Sequence, residues 1–136
     1  MNPRLDEALQ LLSAGRRDGV AFRILHRDPN APHEILLFHA QQAAEKFIKT
    51  VLAVRGVIYR RTHDLLELAV LAEQKGLVVP VGQDLLIRLG PYAVESRYLS
   101  VLTPTVENSE AALLIDTLHD WAAQIVQDAS PADAVL

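Results

Sequence analysis

The chain of 136 residues has no cysteine. That absence excludes a disulfide scaffold, a thiolate metal site and a cysteine nucleophile. No apolar run approaches the ~18 residues that a membrane span needs. No N-terminal apolar region with a small-residue cleavage site is present either, so a cytoplasmic protein without a membrane segment is expected. Positive charge is not in excess: 13 Lys and Arg against 17 Asp and Glu leave −4, which gives no global electrostatic case for wrapping nucleic acid. A local basic patch is the remaining route to an RNA backbone. Gly-x-Gly-x-x-Gly and the P-loop pattern are both absent. Ser13, Ser96, Ser100, Ser109 and Ser130 have no nucleophile elbow around them. His26, His33, His39 and His119 lack the spacing of a metal site, and His119-Asp120 are adjacent rather than stacked on a helix face. No metal and no cofactor is expected.

What is present is an ordinary globular composition, 50% apolar and 22% charged, in one domain's length with no repeat or low-complexity tract. A chain this long buries roughly two-thirds of its unfolded surface and needs no staple. The apolar period is helical throughout. Leu5, Ala8, Leu9 and Leu12, then Val20, Ala21, Ile24 and Leu25, predict one long helix from Asn2 to about Arg27, with a candidate break near Gly15. Asp28 to Pro32 is a loop. A second helix runs from Pro32 to about Arg55, with Gly56 as its C′ residue. Its core stripe is Leu36, Ala40, Ala43, Phe47, Val51 and Val54, widened by Ala44 and Ile48. Thr62 is the expected N-cap of a third, shorter helix ending at Gly76. A fourth is expected from about Gln83 to Leu99, kinked at Gly90-Pro91. The last, about Asn108 to Gln127, buries Ala111, Ile115, Leu118, Ala122 and Ile125 beside Trp121. The expected fold is all-α, an up-and-down bundle of four long helices plus one shorter helix, with a core of about residues 3–127 and a frayed tail from 128.

The run Phe38-His39-Ala40-Gln41-Gln42-Ala43-Ala44-Glu45-Lys46-Phe47-Ile48-Lys49 resembles the HEPN family (higher eukaryotes and prokaryotes nucleotide-binding domain). Thr62-His63-Asp64-Leu65 is similar to the start of that family's third helix, and Tyr92-Ala93-Val94-Glu95-Ser96-Arg97-Tyr98 to the end of its fourth. The resemblance covers about Gly15 to Gln127. It implies an all-α bundle that commonly forms homodimers. Many prokaryotic members are encoded beside a minimal nucleotidyltransferase, often as a toxin–antitoxin pair, so a nucleotidyltransferase partner protein is implied as well. Some members are metal-independent RNases that carry an Arg, four to six residues, then a His. Here Leu102, Thr103 and Pro104 stand at those distances after Arg97, Arg55 and His63 have seven residues between them, and only Arg27 and His33 have the spacing, across a two-proline loop. The expectation is therefore a non-catalytic member that binds a nucleotide, RNA or a partner protein, with a divergent RNase and a purely structural adaptor as alternatives.

The candidate nucleotide- or RNA-binding residues are Gln42, Glu45, Lys46, Lys49, His63, Glu95 and Arg97. Gln42, Glu45, Lys46 and Lys49 fall within one ~100° arc of the second helix, away from its core stripe. Two lysines there suit phosphate, Glu45 a ribose hydroxyl or base edge, and Gln42 a base. The same arc also reads as a solvated face with Glu45 and Lys49 as an i, i+4 pair. His63 is either a proton-transfer group or a polar first-turn residue bonded to Asp64 or Glu67. Arg97 is the residue most suited to an anion, or to a salt bridge with Glu45. Tyr92 and Tyr98 read as stacking groups or as core residues with the hydroxyl at the rim, the latter being the better fit. Arg55, Arg60 and Arg61 make the strongest basic spot, a docking point for RNA or an acidic partner, or a solvated turn.

Overall fold

The computed structural model describes residues 2–94 and 106–131. Among the described residues five α-helices follow one another: α1 (Pro3–His26), α2 (His33–Val54), α3 (Leu65–Gln74), α4 (Gln83–Leu89) and α5 (Asn108–Ala129), with a 3-10 turn at Gly90–Ala93 after α4. No strand occurs among the described residues. The molecule is the all-α bundle that the apolar periodicity predicts.

The central helix is α2, packed against α1 along its length and also against α5, α3 and the 3-10 turn. Its sequence explains why. Leu36, Leu37, Ala40, Ala43, Ala44, Phe47, Ile48, Val51 and Leu52 are all buried, a set too wide for one apolar stripe and suited to a helix enclosed on most sides. The α1 helix is continuous through Gly15 and Gly19, and its buried stripe runs Ala8, Leu12, Gly15, Gly19 and Phe22. This differs from the expected stripe: Val20 and Ile24 are 45% and 60% exposed. The glycines themselves lie on the packed face, so the apolar side chains on either side of that face turn outward. A Cβ on Gly15 would stand 2.6 Å from Phe47, so the bare backbone there makes room for the ring. Gly19 is different, since its Cβ would meet Ile115 at an ordinary 3.4 Å. Packing accounts for the first glycine and not for the second, although each weakens a helix by about 1 kcal/mol relative to Ala.

The helix ends follow local chemistry. Asn2 caps α1, its Oδ1 accepting from the backbone N–H of Arg4 and Leu5. Gly56 and Gly76 adopt positive φ, 65° and 84°, and end α2 and α3 with Val57 N–H donating to the Leu52 carbonyl and Leu77 N–H to that of Ala72. Asp64, not Thr62, is the N-cap of α3, accepting from the Glu67 N–H at 3.1 Å. Thr62 instead accepts from the Asp64 N–H, folding the chain into the cap one turn earlier. At α5, Glu107 and Glu110 form a reciprocal capping box. Gly90-Pro91 does more than kink a helix. Pro91 has no N–H for the Ile87 carbonyl, so α4 ends at Leu89, the 3-10 turn follows, and Val94 is extended. The remainder of the expected fourth helix lies outside the described residues.

Candidate functional site

The candidate site grows from one buried carboxylate. Glu45 is 4% exposed, although the periodicity of α2 places it off the core stripe. The Val57–Asp64 segment, turned back by Gly56, covers that side of α2. Three donors meet Glu45: Lys49 Nζ at 3.0 Å on Oε2, His63 Nδ1 at 2.9 Å on Oε1, and Gln41 Nε2 at 3.4 Å on Oε1. A carboxylate out of water needs such partners. Gln41 also donates to the His63 carbonyl at 3.0 Å and accepts from Gln42 Nε2 at 2.7 Å. Gln41, Gln42, Glu45, Lys49 and His63 are thus one connected network joining α2 to the start of α3. His63 pairs with Glu45, and not with the neighbouring Asp64 or Glu67 that sequence adjacency suggested. With Nδ1–H donated to the carboxylate, its Nε2 is left for another group, and the ring is mostly exposed.

Lys46 belongs to a different cluster. It and His39 Nδ1 both donate to Asp18 of α1, which is 13% exposed. The ~100° arc therefore straddles two creases: Lys46 faces α1, while Glu45 and Lys49 face the segment before α3. Lys46 is paired with Asp18 and Lys49 with Glu45, so the expected Glu45–Lys49 i, i+4 pair is present, but in a buried junction and not on a solvated face. Glu95 and Arg97 lie outside the described residues, as does Tyr98. Tyr92 is core, 1% exposed; burial raises its pKa above 10.0, with Glu34 adding to the effect.

Beside the Glu45 network lies a cleft of about 570 Å³ that the sequence did not reveal as a unit. Arg4 from α1, Lys49 from α2 and Arg61 from the covering segment supply its cations, Tyr59 its aromatic wall, and Glu7 the opposing charge. Gly56 shapes it, because a Cβ there would collide with the guanidinium of Arg4. Lys49 Nζ sits 5.6 Å from the Tyr59 ring centroid, a cation–π contact. Burial first, then the charges of Glu7 and Glu45, raise the Tyr59 pKa above 10.0, so the phenol stays a neutral donor. Of the three arginines in the basic spot, only Arg61 lines this cleft. Arg60 is tied to Glu67 at 2.7 Å, and Arg55 is exposed at the C-cap of α2. No group of His, Asp and Glu suited to a metal ion occurs among the described residues.

Fold and site together define a small helical domain with a buried polar junction and a cation-lined cleft. The family model of the HEPN domain matches residues 25–119, more than half of the chain, and the chain belongs to the HEPN domain family. No curated protein and no solved structure matches it. The matched region leaves out most of α1, so Arg4 and Asp18 are contributions from outside it. Among the described residues no helix is long and apolar enough to cross a membrane.

Proposed function

We propose that this protein is a non-catalytic HEPN domain that binds a nucleotide or single-stranded RNA in the cleft formed by Arg4, Lys49, Tyr59 and Arg61. The observation that carries the reading is the convergence of three cations and one aromatic ring from three separate segments of the chain on one cavity. Guanidinium forks suit phosphate oxygens, and Tyr59 offers a face on which a base stacks. The Glu45 network holds Lys49 in place, and the exposed Nε2 of His63 lies on the same junction as an acceptor for a ribose hydroxyl or base N–H. The family-like residues Gln42, Glu45 and His63 thereby stand behind the cleft and position Lys49, which lines it. Glu95, Arg97 and Lys46 remain candidates for contacts to a longer strand. Without an Arg-to-His spacing of the RNase kind near these residues, binding and not cleavage is the expected activity.

The test is calorimetric titration with AMP, ATP and a short single-stranded RNA against wild type, Arg61→Gln and Arg97→Ala, with the RNA checked for integrity afterwards. Binding that weakens at least tenfold in Arg61→Gln and leaves the RNA intact supports the reading. RNA cleaved under metal-free conditions would transfer the assignment to a divergent RNase. A folded wild type that binds none of the probes would reject the cleft as a nucleotide site.

A second observation favours pairing with protein. Leu66, Leu86, Ile87, Pro91 and Ala93 line an apolar depression of about 460 Å³ next to His63, and Ile87 in it is more than half exposed. Such a patch suits an interface. In this reading the protein works in the cytoplasm as a homodimer through this face, with a nucleotidyltransferase of a toxin–antitoxin-like module as the competing occupant. Light scattering on wild type and Ile87→Glu decides: a dimer converted to monomer supports self-association, and a monomeric wild type rejects it.

A further inference from the structure

A second cleft shares no lining residue with the first and has features that the nucleotide reading does not use. It lies between α1 and α5, has a volume of about 310 Å³, and is floored by Phe47 and Ile115. Val20 and the bare backbone of Gly19 form one wall, and His119 and Asp116 the other. Two guanidinium groups guard it. Arg16 Nε donates to His119 Nε2 at 2.9 Å, and His119 Nδ1 donates to Asp120 at 2.9 Å. This relay fixes the neutral tautomer of His119 and holds the Arg16 fork at the rim, its terminal amino groups free of any ion pair among the described residues. Arg23, two turns further along α1, has no ion-pair partner among the described residues either. It folds back over Gly19, with Nη1 3.5 Å from where a Cβ would stand.

Gly19 is the informative residue. Gly15 is explained by the Phe47 ring, but nothing packed against Gly19 demands the absence of a side chain. A helix-weakening residue without a packing reason is the kind of local conflict that accompanies function. Here its effect is to keep open the floor between two cations.

We propose that this cleft is a binding site for a small organic anion with a flat apolar body, whose carboxylate or phosphate head pairs with Arg16 and Arg23 while the body rests on Phe47, Ile115 and Val20. Asp116, exposed at the far wall, accepts from a donor on the ligand's ring. The chemistry follows from the lining: an apolar floor takes the body, and two guanidinium forks on one side take the head. An inorganic anion would leave the floor unused, and a neutral aromatic would leave both forks unused.

The test is heteronuclear NMR titration of the full chain with phenyl phosphate, benzoate, inorganic phosphate and benzyl alcohol. Phenyl phosphate or benzoate is expected to shift the amides of Gly19, Val20, Ile115 and His119, at least tenfold more tightly than inorganic phosphate or benzyl alcohol. The two arms distinguish a phosphate from a carboxylate head. Arg16→Gln and Arg23→Gln, both on exposed positions, are expected to weaken binding at least tenfold. Gly19→Leu closes the floor and is expected to abolish binding, while Gly19→Ala confirms from a raised Tm that the helix accepts a side chain there. Equal binding of inorganic phosphate and phenyl phosphate, undiminished binding in Gly19→Leu, or no shift at these amides with any probe would overturn the proposal.

Discussion

Replacing Glu45 with Ala removes the acceptor for three donors at once, and the magnitude of the loss can be worked from their exposure. A hydrogen bond to a charged group contributes about 1.5–3 kcal/mol when its partner cannot find water. Gln41 is fully buried, and its amide keeps the His63 carbonyl as an alternative acceptor. Lys49 is only 14% exposed and loses its carboxylate; His63, 68% exposed, rehydrates at little cost. The Lys49 contribution therefore dominates, and the lost Cγ methylene of Glu45 adds about 0.8 kcal/mol of burial. The expected destabilisation is about 2–4 kcal/mol, or roughly 8–15 °C in Tm for a chain of this size. Glu45→Gln, which keeps the shape and one acceptor oxygen, should cost about half as much. Urea unfolding of both variants, followed by circular dichroism, gives the values. A double-mutant cycle with Lys49→Met should return a coupling of at least 1 kcal/mol. A Glu45→Ala protein within about 0.5 kcal/mol of wild type, or a coupling near zero, would refute the view that this carboxylate organises the junction.

Other consequences follow from single contacts. Gly15→Ala should destabilise by about 1–3 kcal/mol in urea melts because its methyl overlaps Phe47, reversing the gain that Ala normally brings to a helix. Asp18→Asn leaves His39 and Lys46 without their shared carboxylate and should cost about 1–2 kcal/mol by the same assay. Arg88 and the backbone N–H of Glu107 hold the Glu110 carboxyl below its ordinary 4.5. Stability from this group is present above pH 4.5 and lost as pH falls through the depressed value, so the urea midpoint of Arg88→Met should fall less steeply than wild type on acidification below pH 4.5. Tyr59 behaves oppositely. Its raised pKa makes its contribution complete below pH 10 and lost at higher pH, so Tyr59→Phe should soften the alkaline limb of stability.

The helical bundle was legible because its signals are local. Apolar spacing, Asn2, Gly56 and Gly76 each act within one or two turns and mark an element or its end close to the expected place, whereas Pro91 ends α4 where only a kink is expected. The failures have tertiary causes. Thr62 and Asp64 are both good caps in sequence, and only the path of the chain into α3 selects Asp64. The buried stripe of α1 passes through Gly15 and Gly19, residues that carry no hydrophobic signal, so Val20 and Ile24 were read as core and are exposed. On the functional side, the polar string on α2 is visible in the sequence, but its division between two creases is not. That division depends on Asp18, twenty-one residues before His39, and on the Val57–Asp64 segment folding back over Glu45. The i, i+4 spacings of Gln41–Glu45 and Glu45–Lys49 are the local hints of the buried network. Arg4 could not be linked to Arg61 from sequence, because fifty-six residues separate them and only the positive φ of Gly56 brings them to one cleft.

Arg4, Lys49 and Arg61 are proposed to bind the phosphates of a nucleotide or RNA strand. The salt dependence of binding a fluorescently labelled single-stranded RNA tests it most directly. Three phosphate contacts predict a slope of about −2 in log affinity against log salt, since each contact on a single strand contributes about −0.7. Arg61→Gln should reduce the slope by about 0.7 and weaken binding at every salt concentration, with the protein still folded. No binding by the folded wild type at low salt, or a slope unchanged in Arg4→Gln and Arg61→Gln, would rule out phosphate binding in this cleft.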